Sequence, residues 1–497
     1  MKKKFYVLTA IFTVTITSPI CAGKAQFTFT NVVEQAQLLA SRPYTPASDG
    51  NVLKLTYDEY RNIRFDNSKS VFADTDSPFR MQLFPTGYYF TRPITLYRVD
   101  NGNVSEIKAQ KSSFINTSGK ELPDSVSIPL SGFRVSTHLN SSKIWDEFLV
   151  FQGASYFRAV PKSGAYGLSA RGLVIQPHDG KTEEFPDFTT FWILTPKKND
   201  KTLEIYALLE SESATGAYKF IVTPGEETKI DICAKVFARE ELNGVGIAPL
   251  TSMFYFNESN HFAIDDFRAA SHDSDGFAAN LKSGECIWRQ LRNPRNVEYS
   301  SFTNEIPQSF GLYQRERNSI GYQDFETNYE ARPSAWIIPG KNFPKGSADL
   351  LEIPTPDDTN DNIVSFWKAQ EKVQKEKPLE FDYTLVFSTH ETKSNLLRTI
   401  SSRSGLPTYG KKNYRLFVVD FAADEKPKQI QIEDITADVS SSSGTIKNAR
   451  IEKNPVTGGV RLCFELHDYI GTNPELRARI LKKNKQISET WLYRWGE

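Results

Sequence analysis

Leu203-Glu204-Ile205-Tyr206-Ala207-Leu208-Leu209 is the first of three neighbouring runs that decide the fold class of this chain. Residues 218–222 and 229–237 are the other two, and the turn residues Thr223-Pro224-Gly225-Glu226 lie between them. Each run is short and either apolar or alternating, which is typical of a β-strand bounded by turn signals. Many such runs, with Gly, Pro and Asn breaks, predict a mainly β protein built as a sandwich or barrel rather than from βαβ units.

Two short helices are predicted on the N-terminal side of these strands. Asn31-Val32-Val33-Glu34, followed by Ala36, Leu39 and Ala40, is typical of a capped amphipathic helix. Thr56-x-x-Glu59 has the spacing of a capping box and predicts a second, shorter helix.

The C-terminal part repeats the strand pattern after an interruption. Residues 379–387 predict a last strand of the first unit, and residues 390–413, rich in Ser, Thr, Lys and Gly, predict a linker or long loop. Strand-like runs then return, and Pro455-Val456-Thr457-Gly458-Gly459 predicts a hairpin turn between two of them; these runs are residues 414–421, 449–453, 460–466 and 487–495. About 100 residues of short strands suit a small immunoglobulin-like sandwich.

The length of 497 residues exceeds one ordinary core, so at least two domains are expected. We place a large β-sandwich domain at residues 23–390, and the linker with the smaller immunoglobulin-like domain at residues 391–497. Lys plus Arg and Asp plus Glu are equal, at 60 each. That balance argues against a nucleic-acid partner, which requires a basic excess.

The N-terminus predicts export. Lys2, Lys3 and Lys4 precede an apolar run over residues 5–20 and the small residues Cys21-Ala22-Gly23. This is the order of a secretory signal peptide, and the run is short for a membrane span. We therefore expect cleavage after Ala22 or Ala25, with residues 1–22 as the signal peptide and the periplasm as the destination.

Cysteine and histidine usage bears on disulfides and metals. Cys233, Cys286 and Cys463 remain after cleavage, and an odd, widely spaced set excludes a disulfide framework or a zinc ribbon. At most one intramolecular bridge is possible, and its pairing stays open. The six histidines are scattered, without ligand spacing. We expect no metal and no cofactor.

Three polar segments in the middle of the chain could carry chemistry. His272-Asp273-Ser274-Asp275-Gly276 and Asp357-Asp358-Thr359-Asn360-Asp361-Asn362 cluster carboxylates, although each is also typical of a solvated turn. Repulsion in the second cluster would raise the pKa of one carboxyl, and glycosidic cleavage needs such a protonated acid. Tyr329-Glu330-Ala331-Arg332-Pro333-Ser334-Ala335-Trp336 sets a guanidinium between aromatic rings, which can clamp sugar hydroxyls or brace a loop.

Seven strings in the chain resemble the bacterial periplasmic glucans biosynthesis proteins G and D. In order they are Gly153-Ala154-Ser155-Tyr156-Phe157-Arg158, Tyr166-Gly167-Leu168-Ser169-Ala170-Arg171-Gly172, Thr215-Gly216-Ala217-Tyr218-Lys219-Phe220, Ala248-Pro249-Leu250-Thr251-Ser252-Met253-Phe254, His272-Asp273-Ser274, Arg332-Pro333-Ser334-Ala335-Trp336 and Thr359-Asn360-Asp361-Asn362-Ile363-Val364. The similarity is densest over residues 153–364 and thin beyond residue 390. A signal without a twin-arginine pair resembles protein G more than protein D.

The resemblance implies a large sandwich like that of galactose mutarotases, with a long cleft, and a smaller immunoglobulin-like domain. It implies a role in making osmoregulated periplasmic glucans, whose backbone is β-1,2-linked glucose. It also implies that Asp361 is a general acid and that Asp273 is a general base acting through a relay of substrate hydroxyl and waters. Tyr329, Arg332, Trp336 and Asp358 are expected to contact the substrate, with Asp358 standing where relatives often have Glu.

Two functions of different class follow from this resemblance. The first is an anomer-inverting endo-β-1,2-glucanase, favoured because a pure binder needs no acid and base pair. The second is a non-catalytic glucan-binding scaffold, or a branching or transfer factor, that assists the inner-membrane glucan glucosyltransferase. β-1,2-Glucan is the expected partner in both cases, and the oligomeric state is left open.

Overall fold

A computed structural model describes residues 26–46, 54–122, 127–175, 183–261, 264–391, 394–409, 413–423, 430 and 432–496. The predicted signal peptide, at residues 1–22, lies outside these ranges. The two predicted helices are present, as α1 (Phe29–Ala40) and α2 (Tyr57–Arg61). In the described part of the chain, neither these nor any other helix combines the length and apolar character that crossing a membrane requires.

Strands dominate the described residues. In chain order they are β1 Ile63–Phe65, β2 Arg80–Pro85, β3 Thr95–Asp100, β4 Asn103–Glu106, β5 Phe114–Asn116, β6 Leu130–Thr137, β7 Asp146–Gln152, β8 Tyr156–Ala159, β9 Ser169–Arg171, β10 Leu173–Ile175, β11 Asp187–Leu194, β12 Leu203–Glu210, β13 Ala214–Thr223, β14 Thr228–Ala238, β15 Val245–Ser252, β16 Phe254–Phe256, β17 Ser271–His272, β18 Gly276–Asn280, β19 Cys286–Gln290, β20 Glu298–Thr303, β21 Ser309–Tyr313, β22 Ser334–Pro339, β23 Gly346–Glu352, β24 Ile363–Ala369, β25 Leu379–Ser388, β26 Arg398–Gly405, β27 Tyr414–Ala422, β28 Ile435–Ser441, β29 Thr445–Lys453, β30 Val460–His467, β31 Glu475–Lys482, β32 Lys485–Gln486 and β33 Thr490–Arg494. The protein is mainly β, as predicted.

Two large sheets face each other in the first, larger sandwich. One sheet has the order β2-β6-β7-β8-β9-β15-β24-β23-β20, with β10 paired to β15. The other runs β19-β18-β21-β22-β25-β14-β13-β12-β11-β3-β4 through this part of the chain. Aromatic rings join the sheets in one core, with ring centroids 5.1 Å apart for Phe133 and Phe191 and 5.3 Å apart for Phe151 and Phe220. The predicted turn at residues 223–226 is confirmed, because β13 and β14 pair antiparallel with Thr223 opposite Lys229.

A second, smaller sandwich follows. Its four-stranded sheet has the order β26-β27-β30-β29 and packs on β28, β31 and β33. Four strands against three is the division of an immunoglobulin constant-type domain. The second of these layers continues the larger sandwich, because β33 pairs parallel with β19, with Thr490 opposite Ile287. The boundary predicted at residue 390 lies between β25 and β26.

Two local predictions need correction. Residues 390–413 are not a linker alone, because β26 runs through them and pairs with β27. The polar composition of this stretch obscured the strand in the sequence. The strand is held partly by a polar contact instead of apolar packing, because the buried Thr399 amide donates to the Glu489 carboxylate at 3.0 Å. The cap of α1 is Thr28, and Asn31 serves as its partner, accepting from the Thr28 amide at 2.9 Å.

A buried ion cluster ties the two sandwiches together. Arg315, just after β21, donates to both oxygens of Glu489, at 2.8 Å each, and to Glu391 at 2.8 Å. Its guanidinium carbon lies 3.5 Å from the centroid of a Trp288 ring. Because Glu489 directly precedes β33, this cluster fixes the strand that the two sandwiches share.

Replacing Arg315 should therefore destabilise the whole fold. Arg315→Met leaves the buried Glu489 carboxylate without its cation, and we expect a loss of about 3–5 kcal/mol in the free energy of unfolding. Urea denaturation followed by tryptophan fluorescence measures it. Arg450→Met is the matched control, because Arg450 pairs with Glu452 on an exposed strand and its loss should cost under about 0.5 kcal/mol. Equal stability of the two variants would contradict the role of the cluster.

Candidate active site

The floor of the candidate site is the solvent-facing side of the first sheet. Along β8 the side chains alternate, so that Phe157 and Ala159 enter the core while Tyr156 and Arg158 face outward. Arg158 is held in place by the neighbouring strand, since its Nε donates to the Ser169 hydroxyl at 2.5 Å. The strand pattern thus sets a row of polar and aromatic groups on one face.

Asp361 lies directly above this floor, at the start of β24. Asn362 fixes the backbone beside it by accepting from the Phe254 amide at 2.8 Å and donating to the Ile353 carbonyl at 2.9 Å. The Asp361 side chain is 25% exposed, and its nearest cation is Arg158, at 3.6 Å. The carboxyl is thus held in a cleft but remains reachable by a ligand.

The surroundings of Asp361 favour its protonated form. Burial raises the pKa of the Asp361 carboxyl above its ordinary value, the positive charge of Arg158 opposes this shift, and the negative charge of Asp273 adds to it. Desolvation outweighs the arginine, so the net shift is upward. An upward shift is the direction that a general acid requires.

Asp273 follows β17 and is the second carboxylate of the cleft. Its side chain is 6% exposed and forms an ion pair with Arg332. The strand behind it is braced by His272, whose Nδ1 lies 2.9 Å from the Gln314 side-chain oxygen and whose ring stacks on Phe254. Asp273 is therefore fixed in one position.

Asp358 belongs to a separate cluster around Arg268. It accepts from Arg268 at 2.7 Å, from the Tyr329 hydroxyl at 3.1 Å and from Ser271 at 3.2 Å. Burial alone would raise the pKa of Asp358, but the hydrogen bond and charge of Arg268 outweigh it and lower the pKa. The guanidinium carbon of Arg332 lies 4.4 Å from the Tyr329 ring centroid, which connects this cluster to Asp273.

This geometry corrects one sequence-based hypothesis. Asp357 and Asp358 were expected to raise the pKa of Asp361 by repulsion, but burial and Asp273 are the groups that raise it. Asp358 is neutralised by Arg268, and Asp357 is an exposed turn residue that accepts from the Thr359 amide at 3.0 Å. These aspartates are close in sequence, but their carboxyl groups do not lie together in the folded protein.

The predicted site residues separate into two groups. Asp273, Arg332, Tyr329 and Asp358 lie in one connected set of contacts, and Asp361 lies near enough for the charge of Asp273 to act on it. The structure does not bring Trp336 into this set, because the residue is buried at 3% exposure where the two sandwiches meet. There its indole stacks on Tyr313 at 5.6 Å, so a sugar has no access to it.

Two functional arginines were not assigned from the sequence. Arg158 belongs to the segment of residues 153–158 that resembles the glucan family. Its alternation with the apolar residues of β8 could have shown that it faces outward. Arg268 sits four residues before His272, and its pairing with Asp266 at 2.8 Å two residues away could have marked it. Arg268 also lines a hollow of about 640 Å³ whose wall includes the mostly exposed rings of Phe267 and Phe325.

The donor sets of the cleft do not suit a metal ion. Each of its three carboxylates is paired with an arginine, and in the ranges that the structure covers no three His, Cys, Asp or Glu side chains converge on a possible metal position. The three cysteines Cys233, Cys286 and Cys463 are free thiols.

These features define a two-sandwich β protein with an acid in a polar, arginine-lined cleft. The chain belongs to the family described as "Periplasmic glucan biosynthesis protein, MdoG", whose model matches residues 27–495.

Individual relatives agree with that family. "Glucans biosynthesis protein G 1" of Shewanella oneidensis is 41% identical over 491 residues, covering 95% of this chain and 89% of the relative. "Glucans biosynthesis protein G" of Shewanella baltica is 40% identical over 499 residues, covering 97% and 90%. Among solved structures, a galactose mutarotase related enzyme from Lactobacillus acidophilus matches 53% of this chain and 95% of its own, at 9% identity and a TM-score of 0.23.

The electrostatic account of Asp361 can be tested without turnover. Asp273→Asn removes a negative charge and should lower the pKa of Asp361, whereas Arg158→Met removes a positive charge and should raise it. Carboxyl ¹³C NMR titration measures both shifts. Asp357→Asn is the control and should leave the pKa unchanged. A shift in that control of the size seen for Asp273→Asn would refute this account.

Proposed function

We propose that this chain is an exported periplasmic glucan biosynthesis protein that cleaves the β-1,2-glucan backbone as an inverting endo-glucanase. The observation that carries the proposal is the contrast between the two carboxyls of one cleft. Asp361 is shifted toward its protonated form, while Asp273 is ion-paired with Arg332. An inverting glycosidase needs one acid and one base in the same cleft.

In this mechanism Asp361 is the general acid. Its proton passes to the glycosidic oxygen as the bond from the anomeric carbon to that oxygen breaks, which leaves a neutral hydroxyl on the departing sugar. Arg158, 3.6 Å away, stabilises the carboxylate that results. The arginine thus limits the upward pKa shift and receives the charge once the proton has left.

Asp273 is the general base. It takes a proton, through a substrate hydroxyl and water, from the water that attacks the anomeric carbon on the face opposite the departing group, and the anomeric configuration is inverted. A relay suits a carboxylate that is largely buried and held by Arg332. Tyr329, buried at 2% exposure, holds Asp358 and packs under Arg332, so its part is to support the arginine that binds Asp273.

A scaffold that binds nascent glucan beside the membrane glucosyltransferase, without turnover, is the second candidate. The observation that favours it is the same ion pair, because Arg332 competes with a water for the Asp273 carboxylate. Both candidates require glucan in the cleft, so binding alone does not separate them.

Product analysis separates the two. The mature protein should convert linear β-1,2-glucan to shorter oligosaccharides whose new reducing ends first appear as the α-anomer by ¹H NMR. Asp361→Asn should lower the rate by about 10²–10⁴-fold while leaving glucan affinity within about threefold, because the amide cannot donate the proton but keeps the shape. Binding without products from the wild-type protein would favour the scaffold.

The pH dependence of hydrolysis tests the role of Arg158. The rate should fall on the alkaline side as Asp361 loses its proton, at a pH set by its raised pKa. Arg158→Met raises this pKa further, so its alkaline limb should move to higher pH. Arg134→Met, which breaks a pair with Glu147 elsewhere on the floor, is the matched control and should leave the limb in place.

A further inference from the structure

A second hollow lies at the edge of the larger sandwich, where its wall includes residues of both sheets, Ser131 of β6 and Phe188 of β11. It has a volume of about 600 Å³ and lies between the start of β11 and the hairpin that follows β2. Two aromatic rings stand at its rim, Tyr89 at 80% exposure and Phe185 at 47%. Exposed rings of this size beside a cavity are characteristic of binding surfaces rather than of random surface.

The hairpin that carries Tyr89 has an unfavourable backbone. Gly87 and Phe90 exchange both backbone hydrogen bonds, at 2.9 and 3.0 Å, which leaves Tyr88 and Tyr89 at the corners. Tyr88 has a φ of 54°, in the left-handed region where a hairpin corner favours glycine. A bulky residue there costs about 1–2 kcal/mol, and such strain concentrates at functional positions.

A stack of rings supports the strained corner. The centroid of Tyr88 lies 4.1 Å from that of Tyr89 and 6.4 Å from that of Tyr60. Tyr60 is in turn fixed to the sheet, because Gln152 donates to its hydroxyl at 2.8 Å. Tyr89 is therefore an exposed ring on a rigid base, which costs little entropy to use in binding.

The lining is polar, and most of its charged groups have partners. Arg92 pairs with Asp187, Glu210 binds Arg239 at 2.7 Å, and Glu184 accepts from Ser213. An anion would meet an excess of negative charge, because four carboxylates and one arginine line the hollow. An uncharged ligand with many hydroxyls can instead donate to these carboxylates and stack on the rings.

Aromatic contacts lead from this hollow to the acid. Phe185 lies 4.7 Å, and Tyr156 lies 5.2 Å, from the guanidinium carbon of Arg171, which is buried beneath both rings. Tyr156 faces the same side of β8 as Arg158, the partner of Asp361. Phe185 at the rim of the hollow and Tyr156 beside the acid thus pack on the same buried guanidinium, which places the two sites close together.

We propose that this hollow, with Tyr89 and Phe185 at its rim, is a second glucan-binding site. It binds the part of a long glucan that extends beyond the cleft past Tyr156. This rests on the proposed function and extends it to long chains. A short oligosaccharide fills the cleft alone, whereas a long glucan gains the second site as well, so the site selects for chain length.

Calorimetry with two probes tests this inference in the Asp361→Asn background, where no probe is consumed. The probes are a β-1,2-linked tetrasaccharide and long linear β-1,2-glucan. Adding Tyr89→Ala or Phe185→Ala should weaken binding of the long glucan by about tenfold and leave the tetrasaccharide unchanged. Val456→Ala, at a 92% exposed position on the hairpin of the smaller sandwich, is the control and should change neither.

Each other result overturns the inference. An unchanged affinity for long glucan in both ring variants removes the second site but leaves the cleft proposal standing. Equal weakening of both probes would place Tyr89 and Phe185 in the cleft itself. If neither probe binds the parent protein, the proposed function fails together with the inference. Thermal unfolding of each variant confirms that the fold is retained.

Discussion

One electrostatic constraint organises the cleft. The Asp361 carboxyl is largely removed from water, and no cation lies close enough to compensate fully for the lost hydration. Arg158 approaches only to 3.6 Å, while Asp273 adds negative charge from across the cleft. Loss of hydration costs a carboxylate more than a carboxylic acid, so burial raises the pKa of Asp361. A tighter arginine would oppose this shift more strongly, and full exposure would remove it. The distance to Arg158 and the burial together set the direction of the shift.

The other carboxylates show how the same residue type is given different properties. Asp358 has a lowered pKa because Arg268 binds it at 2.7 Å, within a cluster that includes Tyr329. Asp273 is held by Arg332, whose guanidinium also packs on Tyr329. Arg268 is shared by Asp266, Asp324 and Asp358, and its closeness to Asp358 gives that carboxyl a pKa shift opposite to that of Asp361. The arginines therefore determine the chemistry as much as the aspartates do.

The sequence predicted those features that are encoded locally. The hairpin of β13 and β14 carries its own turn residues, and both sandwiches were visible as series of short runs. The strings that resemble the glucan family located Asp273 and Asp361, but not their partners, because Arg268 and Asp358 meet across 90 residues. Trp336 lies away from these residues because β22 directs its indole into the core between the sandwiches. Side-chain direction and long-range pairing arise only in the folded chain.

The strand shared by the two sandwiches also determines when folding can finish. β33 lies within the last residues of the chain and pairs with β19, where Thr490 is opposite Ile287. The shared sheet is therefore complete only when Thr490–Arg494 has met Cys286–Gln290, a stretch about 200 positions earlier in the chain. Contacts of such long range form slowly. The local hairpins of both sandwiches can therefore form before this pairing, which comes late in folding.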